Sequence, residues 1–216
     1  MQQLGPNEFL FLAQGLKWTL LLTLVGFIGG IAFGLLVAVV RVSKNRALRL
    51  AATAWIAVFQ GTPLLLQLFV VYFGLPLLGL NVNAWLAVAI ALTAHASAFL
   101  GEIWRGAIQA VPGGQTEAAH ALGLRWRAHM FEIMLPQALR ISMPATIGFL
   151  VQLLKGTSLA AIVGFIELTR AGQIISNQTY QPILVFGLVG ALYFAMCWPL
   201  SYWGRRMELT LTKDSR

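Results

Sequence analysis

Glu117 and His120 stand three residues apart in the run Glu-Ala-Ala-His, a spacing that puts a carboxylate and an imidazole on one face of a helix. Di-iron centres in helical bundles use such Glu-x-x-His pairs, but they need a second pair and two more glutamates on facing helices. The chain offers neither, so no metal site is expected. Two other ionisable residues, Lys155 and Glu167, lie in or beside long apolar runs. A charge at the centre of a membrane helix costs about 2.5 to 3.5 kcal/mol, which makes both residues functional candidates. Glu167 also stands three residues from Arg170, within pairing distance along a helix. His95 sits among small residues, where packing is the simpler role. Within the apolar runs no nucleophile, base or metal ligands cluster, which argues against an intramembrane enzyme.

The elements that must position these residues are membrane spans. Of 216 residues, 58% are hydrophobic and only 10% charged, and the mean hydropathy is +0.77, far from soluble averages. A helix needs about 20 apolar residues to cross hydrocarbon, because every backbone N–H and C=O must be satisfied inside the segment. Five stretches qualify: Trp18 to Val40, Leu50 to Leu80, Ala84 to Leu100, Ile141 to about Val163, and Ile183 to Trp203. The basic cluster Arg41, Lys44, Arg46 and Arg49 follows the first run instead of preceding it. That is the wrong order for a signal peptide, so the first span is expected to stay attached.

Four Lys or Arg fall from Arg41 to Arg49, four from Arg105 to Arg140 and four after Trp203, so twelve of the fifteen lie on one side. That side is read as the cytoplasm. The N-terminus and the loops near Leu80 and Ile174 then face outward, and the C-terminus faces the cytoplasm. Anionic membrane lipid accounts for the net charge of +8, and no nucleic-acid partner is needed. Cys197 is the single cysteine, so no disulfide framework exists.

The chain reads as one domain, 1–216, with a long connection of about 101–140 between the third and fourth spans. Pro112, Gly113 and Gly114 should end any helix entering it, and Thr116 is placed to cap a new one with Glu117 in its first turn. Gly123 suits the end of that short helix, and a second amphipathic segment from Trp126 should stop near Leu135, before Pro136. In the first span Gly26, Gly30 and Gly34 recur every four residues and form a flat face for close helix approach, either by another span of this chain or by a second copy. Pro63, Pro76 and Pro144 interrupt the second and fourth spans, and broken helices are tolerated where they line a cavity.

The stretch EAAHALGLRWRAHMFEIMLP, Glu117 to Pro136, resembles the EAA signature of permease subunits of ABC-type importers. GTPLLLQLF (Gly61 to Phe69), GEIWRGAIQAVPGGQ (Gly101 to Gln115) and KGTSLAAIVGFIELTRAGQ (Lys155 to Gln173) look like the polar amino-acid branch of that family, of the histidine, glutamine and arginine type. Gly156 departs from it, since many relatives carry Asp or Asn there. The resemblance implies an all-α polytopic membrane protein of type I importer permease fold, with five transmembrane helices and a cytoplasmic coupling-helix loop. It further implies a multi-pass protein of the bacterial inner membrane that carries amino acids by alternating access. Its partners would be ABC ATPase subunits, a second permease copy or a paralogous permease, an extracytoplasmic solute-binding protein, the amino-acid substrate and membrane lipid.

A lever that docks into a separate ATPase must be short and rigid. Glu117 offers an anchoring charge, Ala118 and Ala119 permit close approach, and Gly123 permits the sharp turn. The chain has no G-x-x-x-x-G-K-[ST] loop, so it is not expected to be an enzyme, and ATP and Mg are expected on the partner ATPase with no cofactor in this chain. For the substrate, Glu167 with Thr157, Ser158 and Gln67 is expected to line a cavity and meet an amino group or cationic side chain. An ATP-independent carrier or channel for small polar solutes is the alternative, and the EAA segment speaks against it.

Overall fold

The computed structural model describes residues 4–41 and 45–214, and among them all regular structure is helical. Lys44 and Arg216 lie outside the described residues, as does the side chain of Lys213. Helix α1 (Pro6–Arg41) has 36 residues. At about 54 Å it overreaches the hydrocarbon of a bilayer, roughly 30 Å thick. Helices α2 (Arg46–Gly61) and α3 (Leu64–Leu77) meet at Pro63 with a bend of 108° and form one broken span. Helix α4 (Ala84–Ala110), helix α6 (Trp126–Ala161) and helix α8 (Pro182–Asp214) are the remaining spans, which makes five. Two short helices complete the chain: α5 (Gly113–Ala121) between α4 and α6, and α7 (Leu168–Thr179) between α6 and α8.

Gly26, Gly30 and Gly34 turn inward against α4 of the same chain. A Cβ on Gly30 would lie 2.4 Å from the Ala96 Cβ, and one on Gly26 would lie 2.9 Å from the Leu92 Cβ. Between spans there is little hydrophobic gain, since lipid is as apolar as leucine, so stability comes from how closely backbones approach and how densely side chains fill the seam. Leu22, Leu92, Ala96, Leu100, Phe149 and Leu153 fill it between α1, α4 and α6. The opposite face of α1 exposes Leu20, Leu24, Ile28 and Phe33, as a lipid-facing surface should.

Several boundaries move. The fourth span starts at Trp126, fifteen residues before Ile141, and passes through Pro136 without stopping. The helix widens to π-type turns over His129–Met134 just before that proline, and α3 does the same over Val70–Gly74 just before Pro76. A proline ring ordinarily strikes the carbonyl four residues back, and a wider turn displaces that carbonyl. Gln137 then donates its side-chain amide to the Ile133 carbonyl at 2.9 Å. Thr116 is not a cap: α5 begins at Gly113 with Pro112 before it, and the Thr116 hydroxyl points at Met134 Sδ instead. Ile174 belongs to α7 and not to a loop, because Gly164, at φ +82°, turns the chain back into the bundle.

Candidate functional site

The segment around α5 is built from its ends. Helix α4 runs on to Ala110, α6 starts at Trp126, and α5 is held between them. At its C-terminus Gly123 adopts φ +66°. Its N–H donates to the His120 carbonyl and the Leu124 N–H to the Ala119 carbonyl, both at 3.0 Å. These two bonds form a Schellman stop, which needs a left-handed residue where glycine carries no Cβ penalty. Glu117 and Ala118 point outward, and Leu122 beside them is 77% exposed. Ala119 is different: it is buried within this chain, so it seats α5 on the bundle and does not offer room to a partner. Trp126, four residues beyond Leu122 along the chain, is also exposed. The entrance to α5 is stiffened from above. Arg105 grips both oxygens of Glu102, with Nε donating to Oε2 at 2.8 Å, and the Trp104 indole donates to Thr146 on α6 at 3.3 Å.

The four residues expected around a substrate divide differently. Glu167 is fully buried and caps α7. Its Oε1 accepts from the Arg170 N–H at 2.8 Å, and its Oε2 accepts from the Thr169 N–H at 2.9 Å and from the Tyr193 hydroxyl at 2.8 Å, with the Thr19 hydroxyl at 3.4 Å. The Leu168 N–H, the remaining free donor of that first turn, donates to Thr19 Oγ1 at 3.1 Å. One carboxylate thus ties α1, α7 and α8 together, satisfying donors that a helix start leaves open. The expected ion pair with Arg170 does not form. Glu167 uses that residue's backbone, while the Arg170 guanidinium donates to Gln173 Oε1 at 3.1 Å.

Gln67 is likewise enclosed, at 7% exposure. Its amide nitrogen donates to the Phe59 carbonyl at 2.9 Å and to the Thr62 carbonyl and hydroxyl oxygens at 3.0 Å, which latches α3 back onto α2 across the 108° bend. Carbonyls cannot donate, so the nitrogen must face them and Oε1 must face the His95 ring, 3.0 Å away. That makes His95 Nδ1 the donor. The ring also packs on Phe99 and Phe149, so His95 is a packing and latching residue. Thr157 is buried with its hydroxyl donated to the Leu154 carbonyl at 2.7 Å. Ser158 is half-buried, donates to the Lys155 carbonyl at 2.7 Å and lies next along the chain from the exposed face of α6.

Thr19 and Tyr193 were not legible as partners of Glu167, because they sit 148 and 26 residues away. Glutamate is also not among the favoured capping residues, so Glu-Leu-Thr-Arg carries no recognisable helix start. Lys155 is exposed, and with Ala145, Gly148 and Gln152 it occupies a single line along α6 at helical spacing. Among the described residues no group of three or more His, Cys, Asp or Glu could hold a metal.

Residues 30–204 match the family described as "Binding-protein-dependent transport system inner membrane component". The chain is 35% identical over 195 residues to the "Probable amino-acid ABC transporter permease protein YckA" of Bacillus subtilis (strain 168), covering 90% of this chain and 86% of the relative. It is 34% identical over 208 residues to the "Arginine transport system permease protein ArtQ" of the same strain, covering 94% of each. Among solved structures, a chain from the "Crystal structure of an amino acid ABC transporter with histidines" superposes with a TM-score of 0.88 at 33% identity, over 97% of this chain and 100% of that one. The inward-facing MetNI methionine ABC transporter shares the fold, with a TM-score of 0.75 at 23% identity, over 94% and 97%. A broken second span, a short helix slung between two long ones and five spans in all therefore have a known counterpart: this chain belongs to the inner-membrane components of binding-protein-dependent transport systems.

Proposed function

We propose that this chain is the permease subunit of an ATP-driven amino-acid importer, with α5 as the lever that a separate ATPase subunit moves. The observation that carries the reading is the exposed set Glu117, Ala118 and Leu122 on a helix held at both ends by long spans. A force applied to that helix has nowhere to go except into α4 and α6. ATP and Mg would be bound by the ATPase, and the permease would pair with a second copy or a paralogue and receive its amino acid from an extracytoplasmic binding protein. The relatives' transport of amino acids supports the substrate class. The distribution of Lys and Arg supports an N-terminus outside and a C-terminus in the cytoplasm. The whole chain acts as one transmembrane domain.

The pathway runs, in this reading, along the exposed face of α6. Gly148, Gln152 and Lys155 occupy it, with Ser158 just beyond. Polar and charged side chains facing hydrocarbon are expensive, so such a face suits a water-lined route or a partner more than lipid. In this reading Thr157, Gln67 and Glu167 hold helix ends and bends in place through their hydrogen bonds instead of touching the solute. Replacing Glu117 by Lys should release the ATPase subunit while leaving membrane insertion intact. Undiminished co-purification of that subunit with the Glu117→Lys chain would remove α5 from the interface.

A further inference from the structure

A groove of about 430 Å³ lies where α1, α2 and α4 meet. Trp85, Ala89, Thr93 and Ser97 line it at successive turns of α4, with Val25 and Phe33 from α1 along one side and Trp55 from α2 at one end. From Trp85 to Ser97 is twelve residues, or about 18 Å of helix. The back wall is the α1–α4 seam, since a Cβ on Gly29 would lie 2.7 Å from Thr93 Oγ1.

Both ends of this groove have a place in the bilayer. Asn83 caps α4, its side chain accepting from the Leu86 N–H at 2.8 Å, and Glu102 is the first charge after it. Nineteen residues separate the two, about 28 Å along the axis, so they bracket the roughly 30 Å of hydrocarbon. The groove therefore opens at one membrane surface, beside Trp85, at the depth where interfacial tryptophans sit. From there it reaches just past the midplane. That inner end is shut: the Trp55 indole donates to Ser97 Oγ at 3.0 Å, and the Ser97 hydroxyl donates to the Ala94 carbonyl at 2.7 Å.

With those donors spent on each other, an amino acid finds no partner at the closed end. A helix of a second copy, about 10–12 Å across, would need roughly 1,400 Å³ or more over the same length, about three times what the groove holds. A single hydrocarbon chain is thin enough, apolar throughout and about one leaflet long. It is also next to the opening, because Phe33, 56% exposed, belongs both to the lipid-facing side of α1 and to the groove. Entry brings no hydrophobic gain, since the surrounding lipid is as apolar as the lining. What favours it is contact: an empty slot leaves its lining without neighbouring atoms on one side.

We propose that the α1–α2–α4 groove holds one acyl chain of a phospholipid, its headgroup at the Trp85 end and its terminal methyl against Trp55, as a fixed part of the transporter. The chain sets the spacing between α1 and the first half of the broken span. A lipid too short to reach Trp55 leaves that half unsupported.

The test uses the permease with its ATPase, purified in detergent, washed free of lipid and given back one phosphatidylcholine at a time. The dipalmitoyl lipid should raise the unfolding midpoint of the permease by about 2–4 °C, the shift one modest site gives a chain of this size. Native mass spectrometry should show it saturating near one molecule per permease. The dioctanoyl lipid, with chains half as long, should give less than half that shift. Ala94→Leu, which fills the middle of the groove, should abolish the retained lipid and the difference between the two lipids, with permease pairing and ATPase co-purification unchanged. One equivalent of a phosphatidylcholine brominated near the chain end should quench tryptophan fluorescence, and Trp55→Phe should remove most of that quenching. Equal midpoint shifts from the two lipids would overturn the proposal. Quenching untouched by Trp55→Phe would do the same, and that measurement stands even if Ala94→Leu does not fold. Loss of permease pairing in Ala94→Leu would assign the groove to a second copy and equally overturn it.

Discussion

Replacing Gly30 by Ala adds one methyl group at the tightest point between α1 and α4. The new Cβ would fall 2.4 Å from the Ala96 Cβ, 3.2 Å from the Ala96 carbonyl carbon and 3.3 Å from its Cα. Unbonded carbons settle at about 3.5 to 4.0 Å, so the first contact is short by more than ~1 Å and two backbone atoms leave no soft way out. Helix α1 must back away along the whole line from Gly26 to Gly34, loosening the cluster that holds Leu22, Leu92 and Leu100. Overpacking of this kind costs about 1 to 3 kcal/mol, or roughly 5- to 150-fold in the unfolding equilibrium. The measurement is the unfolding midpoint of the purified chain in detergent, followed by tryptophan fluorescence. The same substitution at Gly106, inside α4 with nothing within 4 Å, should instead stabilise by about 0.5 to 1 kcal/mol through backbone entropy. Adding Ala96→Gly to Gly30→Ala removes the shortest contact and should restore much of the loss, with a coupling energy of at least about 0.5 kcal/mol. Equal midpoints for Gly30→Ala and Gly106→Ala would refute the seam, because one chemical change would then have one sign at both sites.

Glu167→Gln puts an amide donor where the Thr169 and Arg170 N–H groups and the Tyr193 hydroxyl need acceptors, at a cost of about 1 to 3 kcal/mol. The yield of folded transporter should fall while the order of preference among amino acids stays; a changed preference at an unchanged unfolding midpoint would return this residue to the substrate site. Gln67→Leu should destabilise by about 1 to 3 kcal/mol by leaving the His95 donor and the Phe59 and Thr62 carbonyls without their partner. Combining it with His95→Leu should recover part of that in the same unfolding assay, since both halves of one bond are then gone. Gly123→Val forces a β-branched residue into φ +66°, a strain of roughly 1 to 2 kcal/mol. It should fray the end of α5 and lower solute-stimulated ATPase activity with little change in the spans' unfolding midpoint.

The number of spans was readable because the bilayer imposes a length on apolar runs, and Trp18 to Val40 or Ile183 to Trp203 can satisfy it in only one way. The glycine face of α1 was readable for a similar reason, although its partner was not: the spacing of Gly26, Gly30 and Gly34 is a property of one helix, and Ala96 is a property of two. Helix ends were harder. Pro136 looks like a stop to any rule based on the α-helical turn, and only the widened turn before it lets α6 continue. Thr116 is a good capping residue at a place where the chain had already begun its helix three residues earlier. The role of Glu167 as a helix cap was hidden for the same reason. An acidic residue at membrane depth signals function when its partners are unknown, and here the partners are backbone donors and two hydroxyls brought in from distant helices.

The 36 residues of α6 reach from the end of α5 to the polar line that ends near Ser158. Measured from Met134 to Ser158 this is an arm of about 36 Å. A tilt of only 5° at its base would sweep the far tip through about 3 Å, enough to close or clear a gap the width of a water molecule. Under a push from below, the widened turn at the bottom would act as a flexure in the engineering sense, a place where a beam is thinned so that it pivots there first. Stroke length at the solute would be set by how far along the beam each side chain is mounted, so Lys155 would travel farther than Gly148 for the same push from below.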